Sequence, residues 1–278
     1  MTDQPDEAGG IAGALGFDTS RPNVARVYDC LLGGKDHFAA DRQAARRLTE
    51  ALPNAAAVAK ANRTFLAAAV RHAARDGIAQ YLDIGAGLPT SPSVHECARA
   101  IVPGARVAYV DNDPVAVIYA QALLATGDGV IAIEGDAREP EAILSGPGLA
   151  AVIDLTEPVC LVLVSMLHFL TADEADMIVG AFRQRMVPGS YLIISQGNAS
   201  RPPREGVKDA YGSGITLTGR TAAEIAAYFD GFDLVPPGLV PVAEWPAAQP
   251  GAWPPPRRPA QPASPQAGML AGVGRKRT

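Results

Sequence analysis

Apolar positions in the N-terminal part of the chain recur with the spacing of α-helices. Before Gly33-Gly34 they occur every three or four positions, which predicts a short amphipathic helix. The same spacing predicts a second helix at 39–51 and a third at about 54–75. We therefore expect a helical extension at 21–76 ahead of the first strand. Residues 1–20 show no sustained periodicity, and we interpret them as a mobile leader.

After Gly77 the pattern changes to short β-rich runs that alternate with helical segments. The β-rich runs lie at 80–84, 106–111, 130–134, 159–165 and 190–195. The helices between them are expected at about 91–102, 114–126, 138–145 and 171–186. Such alternation is typical of parallel strands joined by right-handed crossovers. The pattern therefore predicts a doubly wound α/β sheet within a domain at 77–278.

The regular alternation ends after Gly197. The segment 198–219 is rich in glycine and proline, which predicts a long surface loop that borders a substrate pocket. Thr221 is placed to cap a helix that reaches Phe229, with Glu224 at the capping-box position three residues later.

Two late strands are predicted near the end of the chain. They lie at 234–242 and 269–274, and a proline-rich loop at 245–265 separates them. The basic cluster 275–277 is interpreted as a solvated, frayed end. With the five earlier runs, these strands bring the expected total to seven.

The composition favours a globular protein without a membrane anchor. Of the 278 residues, 48% are hydrophobic and 19% are charged, which provides a buried core and argues against general disorder. The longest apolar stretch, 159–170, is far shorter than the ~20 residues that span a bilayer, and no secretory signal opens the chain. We therefore expect a cytoplasmic protein that forms one compact unit.

Charge and cysteine content disfavour further classes. The net charge of −5 gives no general attraction to phosphate backbones or anionic membranes, so neither nucleic acid nor membrane is expected as a partner. Cys30, Cys97 and Cys160 are isolated and lack the spacing of zinc ligands. We therefore expect no structural metal and no disulfide framework.

The main chemical signal is a strand that runs into a glycine turn. The strand contains Asp83 and is followed by Gly85, Ala86 and Gly87. Glycines at such a turn let the backbone approach a ligand closely and adopt angles that are closed to residues with a Cβ. In an open parallel sheet, ligands bind outside the carboxyl ends of the strands, where this turn is expected. A structural turn without a ligand is the alternative interpretation of the motif taken alone.

Acidic residues recur at the ends of the next two strands. Asp111 closes the second strand, where a carboxylate can accept hydrogen bonds from two adjacent ribose hydroxyls. Asp136 follows the third strand, where it can accept from an adenine amino group. Either carboxylate alone would also suit a turn or a helix cap, and we prefer that role for Asp113 before Pro114. Acidic residues at three successive strand ends favour an adenosyl ligand.

The first loop distinguishes among adenosyl ligands. A dinucleotide fingerprint requires a third glycine and a helix N-terminus that faces the pyrophosphate. Here Leu88-Pro89-Thr90 follows Gly87, so the third glycine is missing and Pro89 removes an amide donor. The loop therefore favours S-adenosylmethionine over a nicotinamide dinucleotide.

These motifs resemble those of the class I S-adenosylmethionine-dependent methyltransferases between about residues 80 and 274. The matching segments are 83–87, 111–114, 135–137, 165–169 and 187–190. The resemblance implies a Rossmann-like, seven-stranded methyltransferase sheet with a late antiparallel hairpin, here preceded by the N-terminal helical extension. It also implies S-adenosyl-L-methionine as the cofactor. On this resemblance, Ala86, Asn112, Ala137 and Ser165 join the carboxylates and glycines in binding it.

A closer resemblance covers almost the whole chain. It is to a bacterial family of S-adenosyl methyltransferases long classified as a domain of unknown function. The residues that carry it lie at 24–29, 31–36, 62–63, 82–90, 109–114 and 272–276. The resemblance supplies no methyl acceptor.

Several residues have two interpretations. Tyr28 and Lys35 flank the helix break and belong either to a lid over the cofactor or to ordinary helical packing. Arg63, expected late in the third helix beside Asn62, contacts either the cofactor carboxylate or a partner in a surface ion pair. His168 follows the fourth strand and is a candidate base, with a buried, hydrogen-bonded histidine as the alternative.

The leading functional hypothesis is a methyltransferase that acts on a small molecule. The chain lacks the Asp/Asn-Pro-Pro-Tyr/Phe motif of nucleic-acid amino methyltransferases, which disfavours DNA bases as acceptors. One alternative is a non-catalytic protein that binds S-adenosylmethionine or S-adenosylhomocysteine. The other is a nicotinamide-dependent oxidoreductase, which Leu88-Pro89 disfavours. Lack of an obvious base does not argue against an enzyme, because a sulfonium is an activated donor and alignment removes much of the barrier.

Overall fold

The computed structural model describes residues 18–199, 206–211, 215–245 and 268–278. The expected leader and the proline-rich loop lie almost entirely outside these ranges. Within them, no helix has both the length and the apolar character needed to cross a membrane.

Three helices precede the sheet, as predicted. They are α1 (Val24–Leu32), α2 (Ala39–Ala51) and α3 (Ala55–Arg75). α1 begins where the Asn23 side chain accepts hydrogen bonds from two backbone N–H groups. It ends where Gly33 adopts a left-handed conformation, with φ of 84°, which a glycine reaches without steric cost. The predicted helix break at Gly33-Gly34 is therefore confirmed.

Five parallel strands follow at the predicted places. They are β1 (Gln80–Ile84), β2 (Arg106–Asp111), β3 (Val130–Glu134), β4 (Cys160–Val164) and β5 (Tyr191–Gly197). The helices between them are α4 (Val94–Arg99), α5 (Pro114–Leu123), α6 (Pro140–Leu144), α7 (Pro147–Ala150) and α8 (Ala172–Arg185). A 3₁₀ turn, Leu167–Phe169, follows β4. α7 has no counterpart among the predicted helices.

Two helices and three strands follow β5, and the strands complete the described part of the sheet. They are α9 (Val207–Ala210), α10 (Ala222–Ala227), β6 (Phe232–Leu234), β7 (Val240–Pro241) and β8 (Met269–Lys276). The strand order is β3-β2-β1-β4-β5-β8-β6, and β7 also pairs with β8. β8 runs antiparallel to both β5 and β6. This is the predicted doubly wound sheet with a late antiparallel pair, and its strand order reverses between β1 and β4.

The single late strand expected at 234–242 is wrong in detail. It is two short strands, because Pro236 and Pro237 have no N–H to donate to a ladder and the chain turns at Gly238. In the described part of the sheet, seven strands therefore form the main order, and β7 adds an eighth that pairs with β8.

Two further predictions near the C-terminus need correction. The loop expected at 198–219 includes α9, which packs against α2 with its Val207 and Ala210 buried. The basic cluster 275–277 is not a frayed end, because β8 extends to Lys276. The Lys276 ammonium donates hydrogen bonds to the carbonyls of Arg183 and Met186 at 2.7 and 2.5 Å.

Apolar side chains pack on both faces of the sheet and in a separate cluster. On one face α3 and α4 cover side chains such as Tyr81 and Val162, and on the other α8 covers Leu161. A third group, which we call the cap cluster, joins α1, α2, the first residue of α3, α9 and residues of the adjoining loops. Its buried members are Val27, Ala44, Ala45, Leu48, Ala55, Val207, Ala210 and Tyr211. The cap cluster faces the carboxyl ends of the strands across a cavity.

Candidate functional site

The cavity has a volume of about 780 Å³ and lies at the carboxyl ends of β1 to β4, beneath α1 and α3. Such an edge, next to the reversal of strand order, is where open α/β sheets bind ligands. All the residues singled out from the sequence for cofactor binding, and the candidate base, line this cavity. They are Tyr28, Arg63, Asp83, Gly85, Ala86, Gly87, Asp111, Asn112, Asp136, Ala137, Ser165 and His168.

The turn after β1 depends on glycine. Gly85 and Gly87 have φ of 70° and 68°, in the left-handed region that residues with a Cβ seldom adopt. A Cβ added at Gly85 would lie 3.0 Å from the Met166 Cβ, so a side chain there would also crowd Met166. The backbone N–H groups of Gly85 and Ala86 both donate to the Val110 carbonyl. These bonds hold the turn against the end of β2.

Asp111 links the ends of two strands. One carboxylate oxygen accepts from the Gly87 N–H at 2.7 Å, and the other accepts from the Asp113 N–H at 2.8 Å. Burial raises the pKa of Asp111, and the backbone hydrogen bonds oppose that rise. A carboxylate oxygen can accept more than one hydrogen bond. Asp111 can therefore also accept a hydrogen bond from a ligand hydroxyl.

Asp83 is a buried carboxylate without a hydrogen-bond donor among the described residues. Burial raises its pKa to about 7, the nearby Arg63 charge opposes the rise and the Asp111 charge adds to it. An ionised carboxylate in such a place needs a partner, because a buried charge without one is costly. Asp83 therefore suits a cationic or hydrogen-bond-donating group on a ligand.

Arg63 lies near the middle of α3, so the expectation that it lies late in this helix is wrong. The helix continues to Arg75. The Arg63 Nη2 donates to the carbonyls of Thr90 and Pro92 at 3.2 and 2.9 Å. These bonds hold the guanidinium beside the loop after β1. No ion pair involves Arg63 within the described ranges.

Tyr28 contacts the cavity from α1. Its hydroxyl donates to the Ala59 carbonyl at 3.1 Å and accepts from the Asn62 Nδ2 at 3.0 Å. The Oδ1 atom of Asn62 is buried and has no hydrogen-bond partner among the described residues. Lys35, by contrast, is exposed and does not line the cavity.

Asp136 is half-buried and pairs with a residue that the sequence analysis missed. The Arg138 side chain donates to both carboxylate oxygens of Asp136, and this hydrogen bonding is the main cause of the lowered Asp136 pKa. Arg138 also lines the cavity. Asp136 and Arg138 lie two positions apart in the turn after β3, and this spacing could have indicated that the two side chains pair.

The segment after β4 supplies Ser165 and His168. Ser165 has φ of 60°, unusual for a residue other than glycine, and its N–H donates to the Ser195 Oγ at 3.0 Å. Burial, together with the nearby Arg220 charge, lowers the His168 pKa to about 4. The imidazole is therefore neutral at neutral pH, and its buried Nδ1 has no partner within the described residues.

Asp113 caps a helix, as predicted. Its carboxylate accepts from the Val115 N–H at 3.0 Å at the start of α5. The buried Arg26 lies near Asp113 and was not predicted to do so. Burial raises the pKa of Asp113, and the Arg26 charge opposes that rise. Arg26 also forms an ion pair with the buried Asp41 on α2. The N-terminal helices therefore reach the loop that carries Asp111.

Comparison with known proteins identifies similar chains. A sequence profile of the family described as S-adenosyl methyltransferase matches residues 13–277. The crystal structure of an inferred methyltransferase from Thermobifida fusca YX is 39% identical, covers 95% of this chain and 98% of its own, and superposes with a TM-score of 0.85. A DUF574 family protein from Streptomyces avermitilis MA-4680 is 36% identical, with 93% and 99% coverage and a TM-score of 0.84. No curated protein matches the chain in sequence.

Proposed function

Because the chain belongs to the S-adenosyl methyltransferase family, whose cofactor is S-adenosyl-L-methionine, we propose that it transfers the cofactor's methyl group to a small molecule. The observation that carries this proposal is that all the residues predicted to bind the cofactor lie around one cavity of about 780 Å³. Pockets for small ligands typically have volumes of about 300–1,000 Å³. The cavity is therefore suited to a cofactor together with a small acceptor.

The polar residues of the cavity fit the amino-acid part of S-adenosylmethionine. The Asp83 carboxylate, which has no donor among the described residues, would pair with the cationic amino group. Arg63 would pair with the carboxylate, since only its Nη2 donates to described backbone carbonyls. Tyr28 and Ser165 would border the same part of the ligand.

The adenosine part fits the ends of β2 and β3. Asp111 would accept hydrogen bonds from the ribose hydroxyls, and the Gly85 and Gly87 backbone borders this part of the cavity. Asp136 would accept from the adenine amino group while it keeps its contact with Arg138. Ala86, Asn112 and Ala137 complete this part of the proposed site.

When bound, S-adenosylmethionine supplies a methyl group on a positively charged sulfur, and the electron pair of the broken carbon–sulfur bond stays on sulfur as the acceptor bond forms. The chain contributes alignment and exclusion of water, which remove much of the barrier for an activated donor. His168 is a weak base because its pKa is about 4. It therefore suits proton removal only from an acceptor that becomes strongly acidic as it gains the methyl group.

A second candidate is a non-catalytic protein that binds S-adenosylmethionine or S-adenosylhomocysteine. The observation in its favour is that the residues proposed to hold the cofactor lie around the cavity and would serve such a protein equally well.

Calorimetric titration of the purified full chain tests the cofactor assignment within the proposal. We expect S-adenosylmethionine and S-adenosylhomocysteine to bind and NAD not to bind, because Leu88-Pro89 replaces the phosphate-binding part of a dinucleotide loop. Binding of NAD without binding of S-adenosylhomocysteine would instead support an oxidoreductase.

A further inference from the structure

The cavity has two walls of different chemistry. The carboxylates and glycines at the strand ends form one wall. The opposite wall, which we call the apolar wall, consists of side chains that belong to the cap cluster or pack against it. They are Leu31, Leu48, Leu52, Phe169, Tyr211 and Leu217. Because the carboxylates and glycines proposed to bind the cofactor occupy the first wall, the apolar wall is left for the second ligand of a transfer reaction.

Aromatic rings form part of the apolar wall. The rings of Phe169 and Tyr211 meet edge to face, with centroids 5.5 Å apart and planes at 79°. The His168 ring lies 4.3 Å from that of Phe169 and is tilted by 48°. Such rings pack favourably against the face or edge of another aromatic ring. This wall therefore suits a ligand with a flat apolar body.

The apolar wall offers a charged ligand no partner among the described residues. The nearest acidic group on α1 is Asp29, whose carboxylate already accepts from the Asp36 N–H at 3.0 Å and contacts the His37 Nδ1 at 2.9 Å. The other charged residues of the described lining lie at the strand ends on the first wall or, like Arg63 and Arg138, beside it. Desolvation of an unpaired charge is costly, so the described part of the apolar wall disfavours ionised acceptors.

One polar atom on α3 can orient such a ligand. Asn62 is 1% exposed and lines the cavity, its Nδ2 donates to the Tyr28 hydroxyl, and its Oδ1 has no partner within the described residues. A hydroxyl or N–H hydrogen on the ligand would satisfy this acceptor.

We propose that the methyl acceptor is an uncharged molecule with a flat apolar body and a hydroxyl or amine donor, held between the apolar wall and Asn62. The proposal rests on the proposed methyltransferase function and deepens it by giving the class of the substrate.

The test uses three probes with one aromatic body and different charges: naphthol, naphthoate and naphthylmethylammonium. Each is titrated calorimetrically at neutral pH into the full chain saturated with S-adenosylhomocysteine. Naphthol is expected to bind at least roughly tenfold more tightly than either ion. The half-buried Leu52 is then replaced by aspartate. Leu52→Asp should weaken naphthol binding by roughly tenfold, because it brings a charge into the apolar wall. Leu123→Asp, at an exposed leucine on α5 outside the cavity, should leave it unchanged.

Equal or tighter binding of either ion would overturn the proposal, and so would unchanged naphthol affinity in a folded Leu52→Asp variant. A cooperative melting transition establishes that each variant is folded. Repeating the titrations without S-adenosylhomocysteine separates the two proposals. Failure of S-adenosylhomocysteine to bind would overturn the proposed function, while the charge preference of the cavity is still measured directly.

Discussion

The Asp111 carboxylate accepts a hydrogen bond from the Gly87 N–H at 2.7 Å, and this contact joins the end of β2 to the glycine turn after β1. Its other oxygen accepts from the Asp113 N–H. One side chain therefore shapes the turn and faces the cavity where the ribose is proposed to bind. Loss of this carboxylate should affect the ligand directly and also loosen the turn.

Asp111→Ala should weaken S-adenosylhomocysteine binding by about 1.5–3 kcal/mol, the range for loss of charge-assisted hydrogen bonds. Calorimetry measures the affinity, and the exposed substitution Glu134→Ala at the end of neighbouring β3 serves as the control. If folded Asp111→Ala protein binds with the affinity of the unmodified chain, the ribose role is wrong.

Gly85→Val should abolish cofactor binding while the protein remains folded. A β-branched residue is strained at φ of 70°, and its Cβ would meet Met166 at 3.0 Å, so the turn must move away from its present position. Gly104→Ala is a matched control, because a Cβ there meets no atom within 4 Å. Retained binding by Gly85→Val would place the cofactor elsewhere.

Binding of S-adenosylhomocysteine should weaken as pH falls below about 7. The pKa of Asp83 is raised to about 7 in the protein alone, so its carboxyl is largely protonated below that pH. A cationic amino group requires the ionised form, and affinity should therefore fall by up to about tenfold per pH unit in the acidic range. Above this pKa the affinity should level off.

Asp83→Asn provides the comparison for that pH profile. The amide does not titrate, so the variant should bind more weakly near neutral pH and show little change over the same range. An identical slope in the variant and the unmodified chain would assign the pH dependence to another group.

Residues 21–40 should gain protection from hydrogen exchange when S-adenosylhomocysteine binds. α1 contributes Val24, Tyr28 and Leu31 to the cavity and packs on α2 and α3, so it is placed as a lid over the ligand. Strand β4, at the centre of the sheet, should be equally protected in both states. Equal protection of 21–40 with and without ligand would return Tyr28 to a structural role.

The elements that the sequence predicts well are those with local causes. α1 follows from its apolar spacing and from Gly33, and β4 from the apolar run that requires cover on both faces. The motif residues could be expected to meet because parallel strands end at one edge of a sheet. The division of the late strand at Pro236 also has a local cause, but the longer apolar pattern around it concealed the turn.

The apolar wall could not be predicted, because its residues are far apart in the chain. Leu52 follows the end of α2, and Leu217 lies within the segment that the sequence predicted as a loop bordering a substrate pocket. Neither position has a local pattern that indicates which side chain faces the cavity. The pairing of Arg26 with Asp41 likewise depends on how α1 and α2 pack, which their separate periodicities do not specify.

The central claim is that this cavity transfers a methyl group, and mass spectrometry tests it most directly. The full chain is incubated with a small-molecule extract and S-adenosylmethionine that carries a deuterated methyl group. We expect the unmodified chain to produce small molecules that carry the labelled methyl group. The Gly85→Val variant should produce none. Absence of any labelled product, from protein that binds S-adenosylhomocysteine, would contradict the account and favour a non-catalytic binding protein.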